Sequence, residues 1–339
     1  MARGRKPNPE IQKARDERRT AAEADLFSFI ELVHPNRYLG NIHKEIIGWW
    51  NRYEAKRHQL LLLPRDHMKS ALVAYRVAWR LTKDPTLRIL YISSTANLAV
   101  KQLKFIKDIL TSDVYRLYWP DMVLKEEAKR EKWTEREISV DHPARKADAI
   151  RDPSVFTAGL TSNIVGLHCD IAVLDDVVVH SNAYLEEGRE KVKDQYSLLS
   201  SIETVNSEEW VVGTRYHPKD LYQDLMEMEV EHYNELGEVI RRDPLFEVFR
   251  DGENVAVESA GDGTGQFIWP RTQSPTNGKW YGFDSKVLAD KRAQYLNKVH
   301  FRAQYYNNPN DVEASPFSRE AFQYYDGAFL TCRDRKSVV

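Results

Sequence analysis

Four consecutive leucines, Leu60–Leu63, are the feature that most constrains how this chain can fold. An apolar run with no polar alternation is typical of a β-strand buried on both faces, as parallel strands in α/β proteins are. The run ends at Pro64, and Lys69 and Ser70 begin a helical pattern. The apolar residues of that pattern recur at the spacing of one helical face: Ala74, Val77, Ala78 and Leu81. The sequence therefore predicts a strand, a short loop and a helix, in that order.

The layout of this loop is that of a phosphate-binding loop. It comprises Pro64, Arg65, Asp66, His67, Met68, Lys69 and Ser70. In such loops the free N–H groups of the helix N-terminus bind phosphate, the lysine adds a positive charge, and the hydroxyl binds Mg²⁺. The match is incomplete, because the usual pattern has glycine at the positions of Leu63 and Met68. The alternative is a solvated lysine at the start of a helix, and other parts of the chain must decide.

Composition excludes several classes of protein. The 339 residues are 42% hydrophobic and 29% charged, as in a globular protein with a sizeable core. The net charge of −2 gives no global basicity that would indicate nucleic acid. Two cysteines, Cys169 and Cys332, cannot build a disulfide framework or a zinc cluster. No apolar run approaches the roughly 20 residues of a membrane span, so we expect a cytosolic protein.

Further apolar runs predict strands over 87–94, 155–158, 170–176 and 208–213, with helical patterns between the successive runs. This alternation is typical of an α/β protein with a mostly parallel sheet. Polar residues end three of the runs: Ser93 and Ser94, Asp175 and Asp176, and Thr214 to His217. The carboxyl ends of parallel strands meet at one edge of the sheet, where open α/β sheets bind their ligands. We therefore expect a phosphate-binding site at that edge.

Asp175 and Asp176 are the candidates for binding a cation at this edge. Adjacent carboxylates repel each other, and burying both is unfavourable unless a cation or a proton lies between them. A magnesium–nucleotide complex would supply that cation. A strand that ends in a solvated Asp-Asp turn is the alternative.

The chain divides into four predicted segments. Residues 1–20 are predicted to form a flexible basic arm, because residues 1–19 carry seven Lys or Arg against three acidic residues. Such an arm either contacts a polyanion or only makes the protein more soluble. Residues 21–225 form the α/β core, including a charged helical excursion over 111–150. Residues 226–320 form a smaller lid-like subdomain, and 321–339 are a tail. Within the lid we predict an acidic helix over 226–243, a strand pair over 245–258 and one long helix over 285–306.

Taken together, these motifs resemble the ATPase portion of a large terminase subunit, the motor that packages the genomes of tailed bacteriophages. The resemblance covers roughly residues 25–320 and depends on the order of its motifs: His43–Trp50, Pro64–Ser70, Tyr91–Asn97, Gly166–Asp176, Gly213–His217 and Ile268–Pro270. It implies a P-loop NTPase fold of the RecA-like (ASCE) type, with a mostly parallel sheet flanked by helices and a small C-terminal lid. Arginine-containing phosphate loops with few glycines are frequent in that family, so Arg65 supports the resemblance.

The resemblance also implies roles for single residues at an ATP and Mg²⁺ site. Lys69 would bind the β- and γ-phosphates, and Ser70 and Asp175 would hold Mg²⁺. Asp176 would orient or deprotonate the attacking water, although many members have the longer Glu there. Arg65 would stabilise the γ-phosphate.

A second group of residues would link the site to the rest of a motor. Gly213, Thr214 and Arg215 resemble the coupling motif, which passes the state of hydrolysis to the DNA-gripping parts. An arginine finger from a neighbouring subunit would complete the site, and Arg145 and Arg151 are the candidates. The implied partners are double-stranded DNA, a portal protein and a small terminase subunit. The implied assembly is a homo-oligomeric ring in the host cytoplasm, without a membrane.

Two alternatives and one expected absence complete the predictions. A helicase would need a second nucleotide-facing α/β domain, and a non-hydrolysing DNA- or protein-binding scaffold would explain the missing loop glycines. Family members usually continue into a nuclease domain, for which the residues after Phe317 leave no room. We therefore interpret the C-terminus as a truncation and expect no DNA cleavage.

Overall fold

The computed structural model describes residues 9–54, 56–162, 164, 166–252 and 255–309. The helices in this part of the chain are α1 (Pro9–Ala24), α2 (Leu26–Val33), α3 (Asn41–Arg52), α4 (Lys69–Lys83), α5 (Ala96–Thr111), α6 (Asp113–Tyr118), α7 (Pro143–Ala147), α8 (His180–Ala183), α9 (Glu186–Ser197), α10 (Leu221–Glu227), α11 (Ser285–Ala293) and α12 (Lys298–Tyr306). The strands are β1 (His58–Leu62), β2 (Ile89–Ser93), β3 (Glu137–Ile138), β4 (Val155–Gly159), β5 (Cys169–Asp175), β6 (Glu203–Gly213), β7 (Glu229–Tyr233), β8 (Val239–Pro244), β9 (Glu247–Val248), β10 (Thr272–Gln273) and β11 (Trp280–Tyr281).

Seven strands form one sheet in the order β3-β4-β2-β5-β6-β1-β9. Only the edge strand β3 is antiparallel to its neighbour; the other strands pair in parallel. Strand β6 lies between β1 and β5, with Gly213 opposite Leu62 and Val212 opposite Asp175. The carboxyl ends of these three strands are therefore level. The predicted fold class, a mostly parallel α/β sheet flanked by helices, is confirmed.

The four leucines divide between the two faces of this sheet. Leu61 and Leu63 belong to the core under α2 to α5, whereas Leu60 and Leu62 belong to the core under α9 and α10. All four are buried. Helices cover both faces, which is why the run shows no polar alternation.

The C-terminal part has its own apolar cluster, which packs beside the carboxyl edge of the sheet. Its buried members are Val257, Phe283, Leu288, Phe301, Tyr305 and Tyr306. Helix α12 joins this cluster to the phosphate loop, since the N–H of Arg65 donates to the carbonyl oxygen of Gln304 at 2.9 Å.

The acidic helix predicted over 226–243 is wrong. Helix α10 ends at Glu227, and β7 and β8 then form an antiparallel hairpin. The turn decides the structure: the Oδ1 of Asn234 accepts from the N–H groups of Leu236 and Glu238, both at 2.9 Å, and Gly237 has a φ of 80°. Cross-strand ion pairs such as Arg242 with Glu231 accommodate the charges that had suggested a helix.

Two other predictions for this region need correction. The strand pair over 245–258 is wrong in its pairing, because β9 pairs with β1 in the main sheet and a 3-10 turn over Phe249–Gly252 follows it. The single helix over 285–306 is two helices, α11 and α12. They separate because Asn297 caps α12, its side chain accepting from the N–H of Val299 at 2.9 Å.

The flexible arm predicted over 1–20 is corrected for the described residues, because α1 begins at Pro9. The end of α1 is bound to the core: the indole N–H of Trp79 donates to the carbonyl oxygen of Ala22 at 2.9 Å, and that of Trp119 donates to Glu23 at 2.8 Å. Residues 1–8 lie outside the described part. The excursion over 111–150 contains short helices, as predicted, together with β3.

None of the helices in the described ranges is both long and apolar enough to cross a membrane.

Candidate nucleotide site

The phosphate loop follows β1 and ends where Lys69 begins α4. Met68, at the N-cap of α4, has a φ of 57°, and Asp66 has a φ of 66°. Both residues are in the left-handed region, which usually favours glycine. Met68 stands where the usual pattern has its second glycine, so the loop makes that turn with a strained non-glycine residue. Leu63 is buried in the core and has no positive φ, so no glycine is needed there.

Aromatic side chains from the C-terminal part support this loop. The ring of His67 is 1% exposed and is stacked on Phe283, with ring centroids 5.0 Å apart and an interplanar angle of 6°. Asp66 forms an ion pair with Lys291 at 3.1 Å and accepts a hydrogen bond from the hydroxyl of Tyr305. The loop is thus held in shape by residues far along the chain.

His43 and His67 are both neutral in the folded protein. Burial lowers the pKa of each to about 4. The Nδ1 of His43 accepts from the N–H of Gly40 at 2.9 Å, so its Nε2–H donates to the carbonyl oxygen of His67. The buried Nε2 of His67 has no hydrogen-bond partner among the described residues, so a proton there would lack an acceptor.

Asp175 ends β5 and is 2% exposed. It accepts hydrogen bonds from the Oγ of Ser70 and from the hydroxyl of Tyr91, both at 2.8 Å. Burial, and next the charge of Asp176, raise the pKa of this carboxyl group. A nearby cation would relieve both effects, because it stabilises the charged form.

Asp176 lies beyond the strand end with a φ of 49°, and its N–H donates to the carbonyl oxygen of Val212 at 2.9 Å. Its Oδ2 is 3.3 Å from the Nζ of Lys69. The two charges face the same hollow. The two adjacent carboxylates therefore have different partners: Asp175 is buried against the hydroxyl of Ser70, and Asp176 pairs with Lys69.

The hollow itself has a volume of about 390 Å³. Its lining includes residues 65–71, Leu98, Asp176, Val179, Thr214, Tyr216 and Gln304. The hydroxyl of Thr214 donates to the carbonyl oxygen of Leu63 at 2.9 Å, which connects the end of β6 to the start of the loop.

The end of β6 and the residues after it are held in place by Tyr222 and Asp220. A Cβ at Gly213 would collide with the hydroxyl of Tyr222, so the close approach of α10 requires glycine. Arg215 forms a buried ion pair with Asp220 at 3.1 Å.

Most of the predicted site residues come together, but the two finger candidates lie elsewhere. Lys69, Ser70, Asp175 and Asp176 meet at the carboxyl edge of the sheet, and Arg65 and Thr214 line the same hollow.

Arg145 is 4% exposed. Its guanidinium donates to the carbonyl oxygens of Pro85, Thr86, Leu87 and Asp152. This bonding goes against Arg145 as a finger, because a neighbouring subunit could use it only by breaking those bonds. Arg151 is exposed and lines a second cavity, with Arg88 and Asp170, near the amino ends of β2, β4 and β5.

Three residues of the site had no predicted role: Tyr91, Gln304 and Asn307. A tyrosine inside the apolar run of β2 was a usable signal for Tyr91, because a buried hydroxyl requires a partner. Gln304 lies in α12 and Asn307 follows its last residue, and this helix joins the site only through tertiary packing, so the sequence carried no signal for them.

The fold is that of an α/β protein with a hollow at the carboxyl edge of a mostly parallel sheet. No family model matches the chain. Over 261 residues it is 28% identical to the large terminase subunit of Enterobacteria phage T3, a match that covers 74% of this chain and 40% of that protein. The chain therefore resembles a phage large terminase subunit, and it spans well under half of the length of this curated relative.

Solved structures of the same kind are similar to the chain at lower identity. The large terminase ATPase domain of a Thermus phage gives a TM-score of 0.45 at 13% identity, covering 82% of this chain and 95% of that one. The large terminase of bacteriophage HK97 gives 0.47 at 11% identity, covering 80% of this chain and 50% of that one.

Proposed function

We propose that this chain is the ATPase portion of a DNA-packaging motor of the large terminase type. The observation that carries the proposal is that Lys69, Ser70 and Asp176 line one hollow at the carboxyl edge of the sheet, with Asp175 buried directly behind Ser70 and hydrogen-bonded to it. A lysine, a hydroxyl and two carboxylates are the groups that a P-loop site needs for Mg-ATP.

The loop and the first turn of α4 would bind the phosphates. The free N–H groups of that turn and the Nζ of Lys69 provide positive charge at the hollow. The carboxylate of Asp176 lies 3.3 Å from the Nζ of Lys69 and pairs with its charge. The phosphates of ATP would compete for the lysine, which leaves Asp176 free to act on water.

Mg²⁺ fits the groups beside the loop. The Oγ of Ser70 and the carboxylate of Asp175 are hard oxygen ligands in contact with each other, and the described residues contain no cluster of three His, Cys, Asp or Glu that would form a metal site by itself. A site of this kind suits Mg²⁺, which is usually bound by one or two protein oxygens together with phosphate and water. When bound, the ion would neutralise charge on the phosphates.

The proposed reaction is in-line attack of water on the γ-phosphorus of ATP. The oxygen of water forms the new bond, the bond from the γ-phosphorus to the β–γ bridging oxygen breaks, and ADP leaves with the electron pair. The carboxylate of Asp176 orients the water and accepts its proton. Arg65, with its guanidinium beside Gln304, stabilises the charge on the transferred group.

Coupling to DNA would use residues 213–215, which lie between the loop and the carboxylates. The bond from Thr214 to the carbonyl oxygen of Leu63 gives this segment direct contact with the base of the phosphate loop. Double-stranded DNA, a portal protein, a small terminase subunit and a homo-oligomeric ring belong to the proposal, since the T3 relative is a large terminase subunit. Arg151 remains the finger candidate.

The division into 21–225 and 226–320 stays a prediction: the separate apolar cluster around Phe301 favours it, whereas β9 lies in the main sheet. Residues 310–320 and the tail over 321–339 lie outside the described residues. The truncation and the expected lack of nuclease activity therefore stay predictions as well.

The test is steady-state ATP hydrolysis with and without Mg²⁺. We expect metal-dependent turnover, reduced by at least about 100-fold in Lys69→Ala and in Asp175→Asn, the scale of losing one charge-stabilising group. Lys83→Ala is the matched control, because Lys83 ends the same helix and pairs with Glu54. Nucleotide binding without turnover would instead support the scaffold alternative, and unwinding of a short duplex by the monomer would support the helicase.

A further inference from the structure

Gln304 of α12 contacts both the phosphate loop and the segment after β6. Its Oε1 accepts from the Nη1 of Arg65 at 3.4 Å, and its Nε2 donates to the carbonyl oxygen of Arg215 at 3.3 Å. Its own main-chain carbonyl accepts from the N–H of Arg65 at 2.9 Å. A side-chain amide offers both an acceptor and donors, so this one residue can join two segments that each present a different group.

The position of Gln304 leaves it little freedom. The residue is 4% exposed, yet it lines the hollow beside Lys69 and Asp176. The guanidinium of Arg65 is hydrogen-bonded to this amide, so the amide fixes where the guanidinium lies relative to the phosphates.

One turn further along, Asn307 ties the same helix to the same segment. It ends α12 with a φ of 48° and is 1% exposed. Its Oδ1 accepts from the N–H of Arg215 at 3.1 Å, and its Nδ2 donates to the carbonyl oxygen of Val255 at 3.0 Å. Both main-chain groups of Arg215 are therefore bonded to the end of α12, the same helix whose Gln304 contacts Arg65.

We propose that Gln304 is a positioning residue of this site. It holds the guanidinium of Arg65 toward the place of the terminal phosphate and links that guanidinium to Arg215. The inference rests on the proposed ATPase function. Gln304 acts through Arg65 and not on the reacting atoms.

A double-mutant cycle tests this role. The variants are Gln304→Ala, Arg65→Ala and the combination of both, each measured for kcat of Mg-dependent ATP hydrolysis and for the Kd of a non-hydrolysable ATP analogue. We expect Gln304→Ala to lower kcat about 10-fold while Kd changes less than about threefold, as for a contact that positions a catalytic group. Adding Gln304→Ala to Arg65→Ala should change kcat by less than about twofold, because the group through which it acts is gone.

The matched control is Tyr306→Phe on the same helix. It removes a buried hydroxyl that donates to Glu258 at 2.6 Å, without touching the phosphate loop. We expect its kcat to stay within about twofold of wild type, since it loses one structural hydrogen bond. If Gln304→Ala does not fold, Gln304→Met takes its place in the cycle, because methionine nearly keeps the volume and loses the hydrogen bonds of the amide to Arg65, Arg215 and Tyr216.

Two results would overturn the inference while leaving the ATPase function in place: independent, multiplicative losses in the double variant, or an equal loss of kcat in Tyr306→Phe. Absence of Mg-dependent turnover in wild type would overturn the proposed function itself, and the role of Gln304 with it.

Discussion

The hydroxyl of Ser70 donates a 2.8 Å hydrogen bond to the Oδ1 of Asp175, across 105 positions of sequence. The first turn of α4 and the last residue of β5 must keep a fixed relative position for this bond to exist. The bond brings together the two oxygens to which we assign Mg²⁺. Its main support is Tyr91, which donates to the other oxygen of the same carboxylate.

Replacing Tyr91 by Phe should destabilise the protein by about 2 kcal/mol, because a buried carboxylate oxygen loses its donor. Urea unfolding measures the change. Tyr233→Phe is the control: its hydroxyl also donates to a carboxylate, that of Glu231, but both groups are exposed, and we expect no measurable change in the free energy of unfolding. An equal loss of unfolding free energy in the two variants would show that burial does not make the hydrogen bond of Tyr91 more important than that of Tyr233.

Substitutions at Met68 should separate backbone strain from side-chain packing. Met68→Gly relieves the left-handed strain at a φ of 57° and loses some apolar contact, so nucleotide affinity should stay within about threefold of wild type. Met68→Val places a β-branched residue in the same conformation and should destabilise the protein by about 1–2 kcal/mol. Calorimetry and titration with an ATP analogue measure both effects. A tolerated valine would mean that the left-handed turn is not required.

The buried histidines predict a loss of stability in mild acid. In the folded protein the pKa of His43 and of His67 is about 4, below the ordinary 6.5, so the unfolded chain binds more protons between these values. The contribution of the two neutral histidines to the free energy of unfolding is present above pH 6.5 and is lost as the pH decreases toward 4. From pH 6.5 to 5 each histidine should remove about 2 kcal/mol of unfolding free energy.

Measurement of unfolding free energy against pH in wild type and in His67→Gln tests this expectation. The variant is expected to be less stable at neutral pH, through loss of the stack on Phe283, but to have a shallower slope below pH 6.5. An unchanged slope would show that His67 is not the group that titrates.

Replacing Arg145 by Ala should reduce the stability of the protein much more than replacing Arg151 by Ala. Arg145→Ala leaves four carbonyl oxygens without their donor and should destabilise the protein by about 3 kcal/mol or more. Arg151→Ala should change stability by less than about 0.5 kcal/mol, as an exposed substitution does. Thermal unfolding compares the two, and a stable Arg145→Ala protein would return that residue to the candidates for a finger.

The sequence predicted the sheet edge and the convergence of Lys69 with Asp175 and Asp176, for a physical reason. Parallel strands buried on both faces are long apolar runs, and their carboxyl ends must meet at one edge. The argument needed only the runs and the polar residues that end them.

The C-terminal part was harder to predict because its structure depends on single side chains. Asn234 and Asn297 decide, through local hydrogen bonds, where a hairpin turns and where a helix begins. Gln304 joins the site through α12 packing on the loop, which no periodicity in the sequence encodes. The missing loop glycines likewise depend on tertiary structure: Met68 adopts the left-handed conformation itself, and Leu63 is buried in the core without a positive φ.

The support of the phosphate loop by Phe283, Lys291 and Gln304 has a consequence for biosynthesis. These residues leave the ribosome long after the sheet that carries the loop, and domains generally acquire structure as units during synthesis, from the N-terminal side. A nascent chain that has completed β6 but not α12 has Lys69, Asp175 and Asp176 without the residues that support the loop around them. A nascent chain should therefore not bind nucleotide until α12 has been synthesised.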